Sequence, residues 1–363
     1  MKWLSLALVT VAALAGCTKK KEEAPAGGGS AGSAAPAKPA QRPSQLPLAQ
    51  LPALDLPADA KRAEKVALGH VLFFDQRLSA NNDRSCYSCH QNEDGNGGHD
   101  PLAIGSGGKP LTRHAPVIWN VGYFKSSLYW DGRAASLEDN AKGAWGGGNM
   151  GVGKDNLDKK AAEIAAIPGY KKLFEAAGFT GDIKADQVAQ ALSEYERTLI
   201  CKDTRYDKFA AGDKTAMNDQ EQRGLDVFLG KGKCFMCHAP PFFTQAMGVD
   251  NVAFFNVGIG TSGVADDKVD VGRMKISNNT ADWGAFKPPS LRNITKSAPY
   301  FHDGSVAKLD DAVKLMASGG IANKNKTPLL SDAGLSDAER GDLLAFLATL
   351  DCPGKLEQPA SMP

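Results

Sequence analysis

The chain has 363 residues, 42 of them basic and 41 acidic, for a net charge of +1 at pH 7. With no basic run beyond the N-terminal region, that balance leaves out nucleic acid as a partner. After one short apolar run at the start, nothing else is expected to span a bilayer.

Lys2 leads into the apolar run Trp3 to Ala15, which has the length of a signal-peptide core. It ends Leu14-Ala15-Gly16-Cys17, which resembles a bacterial lipobox. Residues 1–16 are therefore expected to be a lipoprotein signal peptide, with lipid on Cys17 as the only tie to a membrane. Thr18 rather than Asp follows, which points to the periplasmic side of the outer membrane; the alternative is a soluble periplasmic protein with Cys17 unmodified. Residues 17–47 are rich in Lys, then in Gly, Ala, Ser and Pro, and have no face that could bury a core. They read as a disordered tether with a reach of roughly 25 Å. What remains, about 315 residues, suits two domains.

Ala63, Val66, Ala67, His70, Val71 and Phe74 form a helical stripe that stops at the loop 75–83. His70 lies on that stripe and reads as a packed residue rather than a metal ligand. The loop leads to Cys86-Tyr87-Ser88-Cys89-His90, and a second copy follows at Cys234-Phe235-Met236-Cys237-His238. C-x-x-C-H is the signature of c-type haem attachment: two thiols bond to one porphyrin and the adjacent imidazole ligates its iron. Chance predicts about 0.002 such motifs at this Cys and His content, so two of them imply two covalent haem c groups. A zinc knuckle would need four clustered ligands, and a redox C-x-x-C does not need the following His.

The two motifs sit in halves that echo each other. Gly69–Phe73 precedes the first and Gly224–Phe228 the second; Asn218 or Asp219 can cap that second helix and Gly230 can stop it. Further on, Pro116-Val-Ile-Trp-Asn120 matches Pro289-Ser-Leu-Arg-Asn293, and Tyr129-Trp-Asp-Gly132 matches Phe301-His-Asp-Gly304. Order and spacing are kept, which predicts a mainly α fold of two cytochrome c-like haem domains related by internal duplication. Strands should be few and short, one pair falling near Phe254–Gly258. The expected domains are 48–212 and 213–363. Cys201 and Cys352 remain, each following a helical pattern. In an oxidising compartment a disulfide between those helix ends is expected; the alternative is two buried thiols.

The halves also differ. Met316 lies thirteen residues past Asp303, whereas the position thirteen past Asp131 is Ala144. A thioether on the second iron raises its potential, and Ala cannot bind iron, so one closed high-potential haem and one open haem are expected. Met236, Met247 and Met274 are the competing thioethers.

The chain resembles the bacterial di-haem cytochrome c peroxidases and, through them, MauG. The resemblance runs from about Leu68 to Gly320, on LGHVLFFDQRLSANNDRSCYSCH, RHAPVIWN, YWDGRAASLED, RGLDVFLGKGKCFMCH and FKPPSLRNITKSAPYFHDG. It implies a low-potential peroxide site on the first haem, with His90 as proximal ligand, and a high-potential haem held by His238 and Met316. It implies that Trp130, between the haems, is the electron relay; packing between two porphyrins is the simpler role. It also implies one calcium ion between the domains, bound partly by the backbone carbonyls of Ser297 and Pro299.

Departures bear on the distal pocket. The family's G-H pair is Gly105-Ser106 here, its R-N-x-P asparagine, a calcium ligand, is His114, its distal glutamate is replaced at Asn149, and its glutamine is Asn140. His99 and His114 are the remaining first-half histidines that could ligate iron or serve as acid/base. The expected function is reduction of hydrogen peroxide to water with electrons from a small cytochrome c or cupredoxin, a homodimer being one expected assembly. The alternatives are a MauG-like oxidase acting on a protein or organic substrate, and an electron-transfer cytochrome.

Overall fold

The computed structural model describes residues 48–363. The expected signal peptide, lipid site and tether lie outside the described residues. Ten α-helices carry the described chain: α1 (Arg62–Phe74), α2 (Leu137–Gly146), α3 (Leu157–Ala165), α4 (Pro168–Ala176), α5 (Ala185–Glu196), α6 (Arg205–Ala210), α7 (Asp219–Leu229), α8 (Met274–Ser277), α9 (Leu309–Ala317) and α10 (Asp337–Leu347). Among the described residues, extended pairing is confined to isolated bridges. The strand pair expected near Phe254–Gly258 is one such bridge, Phe255 with Phe286, closed by N–H···O bonds of 2.8 and 3.0 Å. It goes no further because Asn256 O and Val257 O accept instead from Thr327 N–H and Ile321 N–H, and Gly258 takes φ +89°.

Two apolar cores form, each around one helix crossing. In the first, Leu68, Leu72 and Phe73 of α1 pack with Val188, Ala191 and Leu192 of α5. In the second, Leu225, Phe228 and Leu229 of α7 pack with Leu343, Phe346 and Leu347 of α10. Both crossings turn on a glycine at which a Cβ would collide with backbone: 1.9 Å from Ala191 O at Gly69, and 2.0 Å from Asp342 O at Gly224. Helix α7 starts where its sequence says: the Asn218 side chain accepts from Glu221 N–H, and the Glu221 carboxylate returns a bond to Asn218 N–H at 2.9 Å. His70 is a packed residue, stacked on Tyr195 with its Nε2 at 2.6 Å from Glu357 O. Beneath the second core, Arg292 is fully buried and is held by both oxygens of Asp207 at 2.7 and 2.8 Å.

The echo in the sequence is an echo in the backbone. Asn120 and Asn293 both take left-handed φ, +65° and +66°, and each opens a short 3-10 turn. Asn120 N–H donates to Leu199 O and its Oδ1 accepts from Cys201 N–H; Asn293 N–H donates to Leu350 O and its Oδ1 accepts from Cys352 N–H. Cys201 and Cys352 are joined as a disulfide across 151 residues. The two ends of the described chain each pack on the other half's core. Leu48 packs on the second, while Leu356 joins the first and exchanges two hydrogen bonds with Asn92.

Candidate haem centre

Each C-x-x-C-H folds as a tight turn, with His90 N–H donating to Cys86 O at 3.2 Å and His238 N–H to Cys234 O at 2.9 Å. In the first motif the turn puts Cys89 and His90 on one cavity wall, while Cys86 packs against the first core. His90 Nδ1 lies 3.2 Å from Asn96 O, and His238 Nδ1 lies 3.0 Å from Pro289 O. A carbonyl there fixes the proton on Nδ1 and leaves Nε2 as the ring atom for a metal. Burial lowers the pKa of both rings, that of His90 to about 4, so each imidazole is neutral and able to ligate. The four motif cysteines are unbridged and half-buried, and burial keeps them as thiols, pushing Cys234 up to about 12 and Cys237 to about 11. Among the described residues no group of three or more His, Cys, Asp or Glu is placed to hold a metal ion, which removes the zinc-knuckle alternative. Thiols, tautomers and turn all fit haem c.

In front of the first motif lies a cavity of about 570 Å³, within the range that takes a cofactor. Cys89 and His90 stand on its wall. Helix α2, capped by Ser136 accepting from Asp139 N–H, turns Asn140, Gly143 and Ala144 to it, an i, i+3, i+4 face. Asn149 also lines it, while its carbonyl accepts from Ser106 N–H at 2.9 Å. Ser106 directs its own hydroxyl to Asp83 at 2.7 Å. No Asp or Glu stands on the cavity wall.

Trp130 is on the wall too, its Nε1–H donating to His114 O at 2.8 Å. Its ring meets that of His302 edge-on at 6.4 Å, and His302 stacks on Phe286 at 3.7 Å. The Trp130 carbonyl accepts from Lys287 N–H, and two residues further Pro289 O accepts from His238. A three-residue stretch of backbone thus joins Trp130 to the second motif's imidazole. Of the two loop histidines, His114 is buried and on the cavity wall, with Nδ1 at 2.9 Å from Asp100 O and its pKa lowered by burial. His99 is exposed and pairs with Asp94 at 3.0 Å. Met316 is half-buried on α9. Met247 is buried on the first cavity's wall, Met236 lies in the second motif's turn, and Met274 starts α8.

Sequence reasoning missed Tyr129 and Arg133. Tyr129 lines the cavity and donates to Asn140 O at 2.8 Å; the Arg133 guanidinium covers its ring at 3.6 Å. Burial raises the phenol to about 12, so it is a neutral donor. Its place in the repeated Tyr-Trp-Asp-Gly, whose counterpart Phe301 also lines the cavity, was the available signal. Ser297 and Pro299 line the same cavity. Their carbonyls are oxygen donors of the kind calcium takes.

Turns that present two thiols and an imidazole, repeated over two helix-built cores, define a di-haem c-type cytochrome. The di-haem cytochrome c peroxidase family profile matches residues 63–215. The methylamine utilization protein MauG of Methylorubrum extorquens is 33% identical over 291 residues, 79% of this chain and 78% of its own length. A cytochrome-c peroxidase of Denitromonas iodatirespirans is 33% identical over 326 residues, 84% of this chain and 86% of its own. The crystal structure of a MauG-like protein associated with microbial copper homeostasis superposes with a TM-score of 0.75 at 30% identity, covering 85% of this chain and 97% of that one. The chain belongs to the di-haem cytochrome c peroxidase and MauG family of oxidoreductases. No helix among the described residues is long and apolar enough to cross a membrane.

Proposed function

We propose that the protein is a periplasmic peroxidase, built from haem domains 48–212 and 213–363, that reduces hydrogen peroxide to water with electrons from a small cytochrome c or cupredoxin. In this reading lipid on Cys17 holds it to the outer membrane. Cys86 and Cys89 carry the first haem with His90 as its axial ligand; Cys234 and Cys237 carry the second, with His238 and Met316. Bound there, haem iron supplies the electron chemistry of peroxide reduction.

The observation that carries the reading is the cavity of about 570 Å³ that has both His90 and Trp130 on its wall. The chain's part is to orient and to hold protons. Asn96 O and Pro289 O aim the two imidazoles. Trp130, fixed by His114 O, spans the gap between the cavity and the backbone that leads to His238. Asn140, Asn149, Tyr129 and Arg133 are among the polar groups on the wall that would meet peroxide, with the neutral His114 beside them. No step calls on calcium. Steady-state turnover with peroxide and several reduced donors tests the reading; the absence of peroxide-dependent oxidation of any donor would sink it. The 33% identity to MauG favours a second reading, oxidation of a protein or organic substrate, which the same assay exposes as peroxide consumption that needs no donor.

Two expectations follow from the wall. Ser106 is tied to Asp83 and Ala144 has no ligating atom, so the fully oxidised protein should bind cyanide without prior reduction. If it ignores cyanide until His114 is replaced by Ala, His114 is the ligand that closes the site. For the second haem, Met316→His should lower its potential without unfolding the chain, because imidazole donates more strongly than a thioether and stabilises ferric iron. A potential that moves only on replacing Met236 or Met274 would reassign the ligand.

A further inference from the structure

The wall of the first cavity carries three basic side chains, Arg113, Arg133 and Lys287, and among the described residues no acid. Arg113 is matched by Asp131 and Asp270, both at 2.7 Å, and Arg133 by Asp131 at 3.0 Å. Lys287 differs from both. It is buried, 7 % exposed, and its ammonium donates to Ser127 O at 2.8 Å and lies 3.7 Å from the centre of the Phe124 ring. Both neighbours are neutral, and among the described residues no carboxylate comes within ion-pair distance of it. Burial brings its pKa down to about 7, with Asp131 pulling weakly the other way. An ammonium has three donors, and a buried charge lacking a counter-ion costs several kcal/mol. An anion in the cavity would remove that cost.

We propose that Lys287 is the counter-ion of a porphyrin carboxylate on the first haem. The inference rests on the reading that Cys86, Cys89 and His90 hold that haem. A c-type porphyrin attached through its vinyl-derived carbons keeps its two carboxylates free, and a cavity lined by cations alone is complementary to them. A charge-assisted N–H···O bond is about twice as strong as a neutral one. Lys287 is a positioning residue. Its backbone holds Trp130 O while its side chain reaches into the cavity, so the seating of the first haem and the placement of Trp130 depend on one residue.

Three variants test this in the full haem-loaded protein. Lys287→Met removes the charge and keeps most of the stem, Lys287→Gln removes it and keeps a donor for Ser127 O, and Lys287→Arg keeps it. Resonance Raman spectra should show the carboxylate bending band of the first haem shifted in both neutral variants, with the potential of that haem lowered. The second haem should be unchanged, and Lys287→Arg should stay close to wild type. Loss of the first haem in both neutral variants, with retention in Lys287→Arg, supports the same conclusion. An unmoved band overturns it: with an unmoved potential the ammonium faces no porphyrin, and with a lowered potential it acts only through space. A wild-type chain whose mass shows fewer than two covalent haems would instead overturn the underlying haem assignment.

Discussion

Placing a carboxylate at position 149 should raise peroxide turnover by roughly 10²–10⁴-fold, the contribution of a positioned general acid/base. Cleaving the O–O bond requires a proton to leave one oxygen and reach the other. Three of the polar groups on the cavity wall are poor at both tasks: the Tyr129 phenol is pushed up to about 12, and Asn140 and Asn149 do not titrate near neutral pH. Asn149 is the position to change because its side chain faces the cavity while only its carbonyl is engaged, by Ser106 N–H. Asn149→Glu should therefore alter chemistry more than binding. The measurement is kcat and KM for peroxide across pH, with kcat rising as the new carboxyl ionises. A lower KM at constant kcat would show that proton transfer is not the limiting step.

Replacing Cys201 and Cys352 together by Ser should cost roughly 3–5 kcal/mol of stability, since the bridge closes a loop of 151 residues and removes that freedom from the unfolded chain. The cost should appear almost wholly in the unfolded state. Both sites keep their Asn120 and Asn293 backbone bonds in the double variant, so spectra of the folded protein should be unchanged. Denaturant unfolding of the two haem-loaded proteins measures the difference. A change below about 1 kcal/mol would mean that the unfolded chain is already held together, for instance by residual structure around its haems.

Local signals in the sequence were enough for what local physics decides. The stripe from Ala63 to Phe74 is α1, Asn218 caps α7, and His70 packs as its stripe requires. The disulfide was legible because, once haem and lipid were counted, only two cysteines remained. The cavity wall was less legible. Tyr129 and Arg133 share one short irregular segment and Lys287 lies in another, far along the chain, so they line one wall only after the cores have formed. His99 and His114 could not be told apart by sequence; burial beside Asp100 O and exposure beside Asp94 separate them. The packing of each chain end on the other half's core escaped for the same reason, since Leu48 and Leu356 look like ordinary apolar residues in tails.

The disulfide has a geometric meaning beyond its free energy. Cys201 and Cys352 occupy the same place in the two repeats, after Leu199 and Leu350, and they touch. Trp130 and His302 also occupy the same place, and their rings touch as well. In a two-fold dimer, a residue close to the axis meets its own copy. Two such meetings of matching positions are what an approximate two-fold relation between the halves would produce. A pair of identical units related that way would have no sense of direction, and an electron would see the same path from either side. The Trp in one half and the His in the other break that equivalence at the point where the halves meet. On the route proposed above, from the second haem to the first, that one pair of unlike rings would give the path its direction.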